Sequence, residues 1–587
     1  MEEYLEIFLF QKEKQQSRKE EKNEMKRKRI VALFCASLMA LSTVGCGAKD
    51  GKEDTSAKME AKGEEGTTGT CQDTGCVWDC DTPYDETITF TKGIETRSGD
   101  KFSEGDDYVN NIFTRYMKDT VNVEMESGWE VDTNNFEQKT ALCIASGEIP
   151  DVMVVDLNMF RQLVESDLVW DLTEVYDKCL LPKIKDIHAS YGDRLLKQVT
   201  VDGKIMGIPG TQIAGQHSVL WIRKDWLDKL DMEVPKTLEE VEAVAKAFIE
   251  QDPGNNGAGK TIGMTASEEV VGEYNTPWGL YPIFNYFDAY PQQWIDVDGK
   301  AAYGSVQPEM KEALKKLNEW YEEGILDTEF AIRKNTDREA LVSNGQLGML
   351  FTPWWGWNGI PEAVKNNPDA EWVTVAAPLD AEGNFKVYAN DPVNGVLVIS
   401  KEFEHPEAII KALNATWEMG TGNGKGKEAF EENQKNQIEG VNPLHLQLDY
   451  EDGVKRAMTE LKKGLDAKDP SVMDSVFRLD WSYDCMMREM ENPGADVYDW
   501  QEYFIRTEGS ETACYEKNLV KDVVFYGTTD TMSTRWANLE KLETETLIKI
   551  ITGEEPLESF DEFVETWNKM GGEQITKEVQ EDIASRQ

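Results

Sequence analysis

The chain has 587 residues, 110 acidic against 62 basic, for a formal charge of −48. Such a surface repels nucleic acid and anionic glycans over a Debye length of about 8 Å and argues against polyanions as partners unless a basic pocket is built locally. Hydrophobic residues at 40 % and aromatic residues at 10 % are enough for real cores, and the length suits two or more domains of about 100–200 residues each.

Residues 1–24 make a poor leader, rich in Glu and Lys and acidic overall, so translation is expected to begin at Met25. From there Lys26, Arg27, Lys28 and Arg29 precede an apolar stretch of 15 residues, IVALFCASLMALSTV, that ends at Gly45 and Cys46. A membrane-crossing helix needs about 20 apolar residues, so this stretch reads as the core of an export signal. LSTVGC resembles the lipobox of bacterial lipoproteins, although Thr43 stands where that family prefers an aliphatic residue. The resemblance implies that Cys46 is diacylated, with palmitate among its chains, and becomes the mature N-terminus; an ordinary secretory signal with a chance cysteine is the alternative. Losing residues 1–45, with nine basic and seven acidic side chains, leaves 542 residues and a charge of −50.

Residues 46–84 are rich in Gly, Lys, Glu, Asp and Thr and read as a flexible tether. Seven cysteines remain after Cys35 and Cys46, an odd number that leaves at least one thiol free or paired between molecules. Cys71, Cys76 and Cys80 fit no common zinc spacing, and Cys143 within TALCIASG reads as a buried thiol. Patterned sequence begins with the strand-like ETITFTKG, followed by the helix YVNNIFTRYMKDT, the strand VNVEME, the helix FEQKTALCIAS and the apolar run DVMVVD. This alternation predicts a parallel sheet covered on both faces. The helices TLEEVEAVAKAFIEQ and PEMKEALKKLNEWYEEG follow, then the strands GMLFT and GVLVIS and the helix PEAIIKALNATWE; from about Tyr450 the chain is mostly helical.

Several phrases then match a known family: LCIASGEIPDVMV (142–154), DGKIMGIPG (202–210), LWIRKDWLDKLDMEVPKTLEEV (220–241), NEWYEEGILD (318–327), NGQLGMLFTPWWGW (344–357) and KIITGEEPLESFDEFVETWNKMGGEQITKEV (549–579). They resemble the extracellular solute-binding lipoproteins of ABC importers, in the carbohydrate-type branch. The resemblance implies an α/β fold of two lobes joined by a hinge around an interlobe cleft. One lobe would take 85–215 and 386–440, the other 216–385 and 441–587. It also implies a monomeric, lipid-anchored protein on the extracytoplasmic face of the membrane. Such a protein captures an oligosaccharide or similar polar solute, delivers it to permease subunits and is not an enzyme. A surface-tethered glycan hydrolase, or a sensor or adhesin that keeps the fold without transport, are the rival readings.

Ligands of open α/β sheets bind off the carboxyl ends of strands, which marks Asp156 and Asn158 after VMVVD and the loop PWWGW after GMLFT. Trp354, Trp355 and Trp357 cannot all enter one core, because neighbouring side chains diverge, so at least one is expected to stack on a sugar ring. The aromatic block 276–294 is equally dense and reads more readily as packing. Trp536 resembles a second stacking position of maltose-type binding proteins, and His217, just before the first expected crossing, is a hydrogen-bonding candidate. Gly254, Gly259, Lys260 and Thr261 spell a phosphate-loop pattern, but a helix precedes it and a strand follows, the reverse of what phosphate binding needs. The same stretch resembles the calcium loop of related binding proteins. Asp252 and Asn256 fit, whereas Gly254 and Lys260 replace ligands, so calcium is the minor reading and no cofactor is expected. The four histidines form no HExxH motif and there is no GxSxG.

Overall fold

The structure is a computed structural model that describes residues 78–97, 102, 104–215, 217–272, 274–356, 358–421, 441–474 and 479–585. The signal region with Cys46, the tether as far as 77 with Cys71 and Cys76, and Trp357 lie outside the described residues.

The first half is built on a five-stranded sheet. Its strands are β1 (Ile88–Thr96), β2 (Val123–Asp132), β3 (Val152–Val155), β4 (Ile208–Thr211) and β9 (Val393–Ile399), in the order β2-β1-β3-β9-β4. β1 runs parallel to β2 and β3, connected through α1 (Ile112–Val121) and α2 (Thr133–Ser146). β9 lies antiparallel to both β3 and β4, so the sheet is mixed rather than wholly parallel. The reason is that β9 enters from the other half of the molecule and not through a helical crossover of its own. Two-residue periodicity sorts side chains to the two faces. Val152, Leu397 and Ile399 join one core with Phe90, Met117 and Leu413. Met153, Val155, Val396 and Val398 join another with Phe160, Leu163 and Leu195.

The second half holds an antiparallel sheet, with β5 (Ser218–Arg223) between β6 (Met349–Pro353) and β7 (Trp372–Val375). All six residues of β5 are buried, Leu220 and Ile222 in one core and Val219 and Trp221 in another. The first of these cores also takes α6 (Leu238–Gln251), α7 (Met310–Glu322) and the C-terminal helices α13 (Asp530–Ile551), α14 (Ser559–Trp567) and α15 (Glu573–Ser585). α6 starts in a capping box: Thr237 Oγ1 accepts from the Glu240 N–H at 3.3 Å, and the Glu240 carboxylate accepts from the Thr237 N–H at 3.1 Å. β8 (Phe385–Tyr388) pairs in parallel with β10 (Asn518–Lys521).

Packing moves three of the expected boundaries. Trp78 Nε1 donates to Glu174 at 3.2 Å, Tyr84 donates to Glu407 at 2.9 Å, and Cys80 is bonded to Cys179, so the fold has begun by residue 78 rather than 85. Pairing with β10 keeps β8 in the second half and puts the second crossing at 389–392, not 386. Leu444, Leu446, Leu448 and Tyr450 fill the first-half core, which delays the third crossing to about 451, just before α10 (Gly453–Ala467). Cys143, Cys485 and Cys514 are free thiols, Cys143 buried. Among the described residues no helix is long and apolar enough to cross a membrane.

Candidate functional site

The chain passes between the two halves between β4 and β5, at 389–392 and at 451–453, and hydrogen bonds stitch the crossings together. The Gln212 N–H donates to Pro392 O at 2.9 Å, Ala214 N–H to Glu451 O at 3.0 Å, and Asn390 Nδ2 to Ile213 O at 3.2 Å. Beside them opens a cleft of about 440 Å³, within the range of about 300–1,000 Å³ common for small-molecule sites. The first half contributes Arg194, at the start of α5 (Arg194–Val199); the crossings contribute His217, Asn390 and Glu451; the second half contributes Tyr274, Tyr388, Lys455 and Asp522.

Aromatic rings form one wall. Tyr274 and Tyr388 lie 5.6 Å apart between ring centroids, and Tyr388 is backed by Tyr281 at 5.5 Å. Tyr388 is held at the end of β8, so its ring is placed by the β8–β10 pair and not by a mobile loop. The rim carries the Arg194–Glu451 ion pair, with both side chains about one-third exposed. His217 is buried with its ring 5.7 Å from Phe385; burial pushes its imidazole down to about 4, which leaves it neutral at pH 7. Within the second crossing, burial raises Asp391 to about 6 against the opposing effects of the Val393 N–H and Arg161.

The loop after β3 meets the other half directly. Asp156 caps α3 (Leu157–Glu165), accepting from the N–H groups of Asn158 and Met159 at 2.8 Å each. Its carboxylate is thereby committed to the helix start. Asn158 Nδ2 donates to Thr528 Oγ1 at 2.9 Å, the Thr528 N–H donates back to Asn158 Oδ1 at 2.8 Å, and Arg161 donates to Tyr526 O at 2.9 Å. Phe525, beside this segment, is buried in the second-half core, so these contacts bridge the halves.

The tryptophans divide. Trp354 is buried with Trp221 and Phe504, under the Arg506 guanidinium at 5.2 Å, and is committed to packing. Trp355 is half-buried and donates through Nε1 to Asn275 at 2.8 Å, next to cleft-lining Tyr274. Trp536 packs edge-on against Tyr303 at 5.3 Å on the second-half core. None of these three lines the 440 Å³ cleft, whereas His217 does. Asp252 and Asn256 lie apart from it, in the turn after α6. Sequence reasoning missed Tyr274, Tyr388, Arg194 and Glu451. Tyr274 lies just ahead of the conspicuous aromatic block, and the other three carry no local signal.

The family model for bacterial extracellular solute-binding proteins matches residues 111–405. The chain belongs to that family. Binding, not catalysis, is therefore its function. A curated relative, the polygalacturonan/rhamnogalacturonan-binding protein YtcQ of Bacillus subtilis, is 23 % identical over 78 % of this chain and 85 % of its own. An HMO-binding, ABC-transporter-associated solute-binding protein from Bifidobacterium longum infantis superposes with a TM-score of 0.58 at 16 % identity, over 86 % of this chain and 100 % of that one. An EF-hand mutant of the Streptococcus pneumoniae substrate-binding protein FusA, in complex with fructo-nystose, gives 0.54 at 17 % identity, over 84 % and 99 %. The fold is the two-lobed α/β architecture of these solute-binding proteins.

Proposed function

We propose that this protein is the lipid-anchored, extracytoplasmic capture subunit of an ABC importer and that it binds an oligosaccharide in the cleft beside the three crossings. The observation that carries the reading is the aromatic wall of the cleft, in which half-buried Tyr274 lines the opening from a turn and buried Tyr388, at the end of β8, backs it. Sugar rings present an apolar face that lies flat on an aromatic ring, and a tyrosine adds a hydroxyl at its edge. The relatives named above bind poly- or oligosaccharides by their descriptions, which supports the same ligand class here. The lining sets Arg194 and Lys455 against Glu451, Asp452 and Asp522, and Arg194 is already paired. This balance favours a neutral sugar over a uronate chain. The two halves act as lobes: contacts from both to one ligand favour the closed state, which the permease subunits recognise. Cys46 supplies the anchor.

Thermal shift against a panel of neutral and acidic oligosaccharides, followed by calorimetry on the best ligand, tests the reading. Tyr388→Ala should weaken that ligand by about 1–3 kcal/mol, roughly tenfold to a hundredfold. No stabilisation by any sugar, or unchanged affinity in a folded Tyr388→Ala variant, refutes it.

A further inference from the structure

The turn after α6 resembles a calcium loop closely enough for its chemistry to be checked position by position. A twelve-residue calcium loop takes ligands from positions 1, 3, 5, 7, 9 and 12 and needs glycine at 6. Counted from Asp252, those positions fall on Asp252, Gly254, Asn256, Ala258, Lys260 and Gly263, with Gly257 sixth at φ 98°. The sixth-position glycine is kept, with its positive φ, while most of the side-chain donors are gone.

Two of the lost donors have no room to exist. A Cβ at Gly254 would lie 2.6 Å from Asn256 Nδ2, 2.6 Å from the Trp226 ring and 3.0 Å from Gly345 O. A Cβ at Gly263 would lie 2.8 Å from Ile325 O and 3.0 Å from Ile249 Cδ1. The third and twelfth positions are thus closed to any ligand side chain, including the bidentate glutamate that the twelfth normally carries. The ninth is an exposed lysine, a cation where a cation's ligand belongs.

The donors that remain are already used. Asp252 Oδ1 accepts from Thr261 Oγ1 at 2.6 Å and from the Asn256 N–H at 3.0 Å, and Oδ2 accepts from the Gly257 N–H at 2.8 Å. Asn256 Nδ2 donates to Thr261 Oγ1 at 3.0 Å and to Gly345 O at 2.8 Å. Thr261 stands at the centre, its hydroxyl bonded to both side chains. Those bonds hold the Asp252 carboxyl below its ordinary range, the Thr261 hydroxyl contributing most. Calcium needs 6–8 oxygens with several carboxylates among them. Among the described residues no group of three His, Cys, Asp or Glu side chains is placed to hold a metal ion.

We infer that the turn from Asp252 to Gly263 is a calcium-binding loop converted into a cation-independent clasp, in which Thr261 and the Asn256 amide close the Asp252 carboxylate in place of a metal. The clasp retains a structural task. Through Gly345 O and the bond from the Ile262 N–H to Gln346 O at 2.9 Å it fixes the turn that leads into β6 and the Trp354–Trp355 loop. The inference stands whether or not the solute is a sugar.

The test uses the purified full-length protein and calcium itself. Titration calorimetry with calcium chloride up to about 10 mM, beyond the roughly 0.1–1 mM of weak extracellular modules, should give no saturable heat. Melting temperatures in EDTA and in calcium should coincide. Thr261→Val, which keeps the shape and removes the hydroxyl, should lower the melting temperature by about 1–3 °C in both buffers alike. Saturable calcium binding, a drop in EDTA reversed by calcium, or a Thr261→Val protein that melts like wild type would each overturn the inference.

Discussion

Glu543 offers a direct test of the second-half core. It sits on α13 with 1 % of its surface exposed, accepting from Tyr303 Oη at 3.1 Å and Ser305 Oγ at 2.8 Å. Tyr303 is in turn stacked on Trp567 at 5.1 Å. No cation faces this carboxyl in an ion pair among the described residues. Burial therefore pushes it from its ordinary 4.5 up to about 7, its two hydroxyl donors opposing the rise. Folding then favours the protonated form. Below pH 4.5 both folded and unfolded chains carry the proton and nothing is lost. Between 4.5 and 7 the unfolded chain ionises while the folded one stays neutral, so stability falls by about 1.4 kcal/mol per pH step, about 3 kcal/mol in all. Glu543→Gln keeps the shape and an acceptor but cannot ionise. Urea unfolding of both proteins from pH 4 to 8 should show the variant gaining on wild type by about 3 kcal/mol as the pH rises. A difference that stays constant across that range refutes the reasoning.

Asn158→Ala removes the reciprocal bonds to Thr528, at about 0.5–1.5 kcal/mol each, and should shift the ligand-free protein toward an open form, seen as a larger radius of gyration by small-angle scattering. An unchanged radius would mean that this bridge does not hold the halves together. Trp354→Ala should cost about 3–5 kcal/mol of stability as a core deletion; Trp355→Ala should cost clearly less, and thermal melting of the pair checks the order. Cys46→Ser should release the protein from the membrane fraction, and a variant that still sediments with membranes defeats the lipobox reading.

Local signals carried much of the fold. The alternation in ETITFTKG and the run DVMVV mark β1 and β3, because strand periodicity and apolar bulk act within a few residues. Thr237 and Glu240 announce the start of α6, since a capping box is closed by neighbours three residues apart. Whole phrases such as DGKIMGIPG were enough to indicate the family.

Other features depended on contacts between distant residues. Nothing in GVLVIS says that β9 runs antiparallel to β3; its direction follows from the chain re-entering from the other half. The alternating leucines of PLHLQLDY, expected in the second lobe with 441–587, pack in the first-half core, a placement that only contacts with distant residues decide. Cys179 carries no mark of its partner Cys80, 99 residues away. The loop PWWGW advertised three indoles, yet which of them packs is set by Arg506 and Phe504, far along the chain. The cleft shows this most plainly: Arg194, Tyr274, Tyr388 and Glu451 come from four separate stretches. A ligand site between two halves is defined where the crossings bring surfaces together, so its residues share a location in space and no pattern in the sequence.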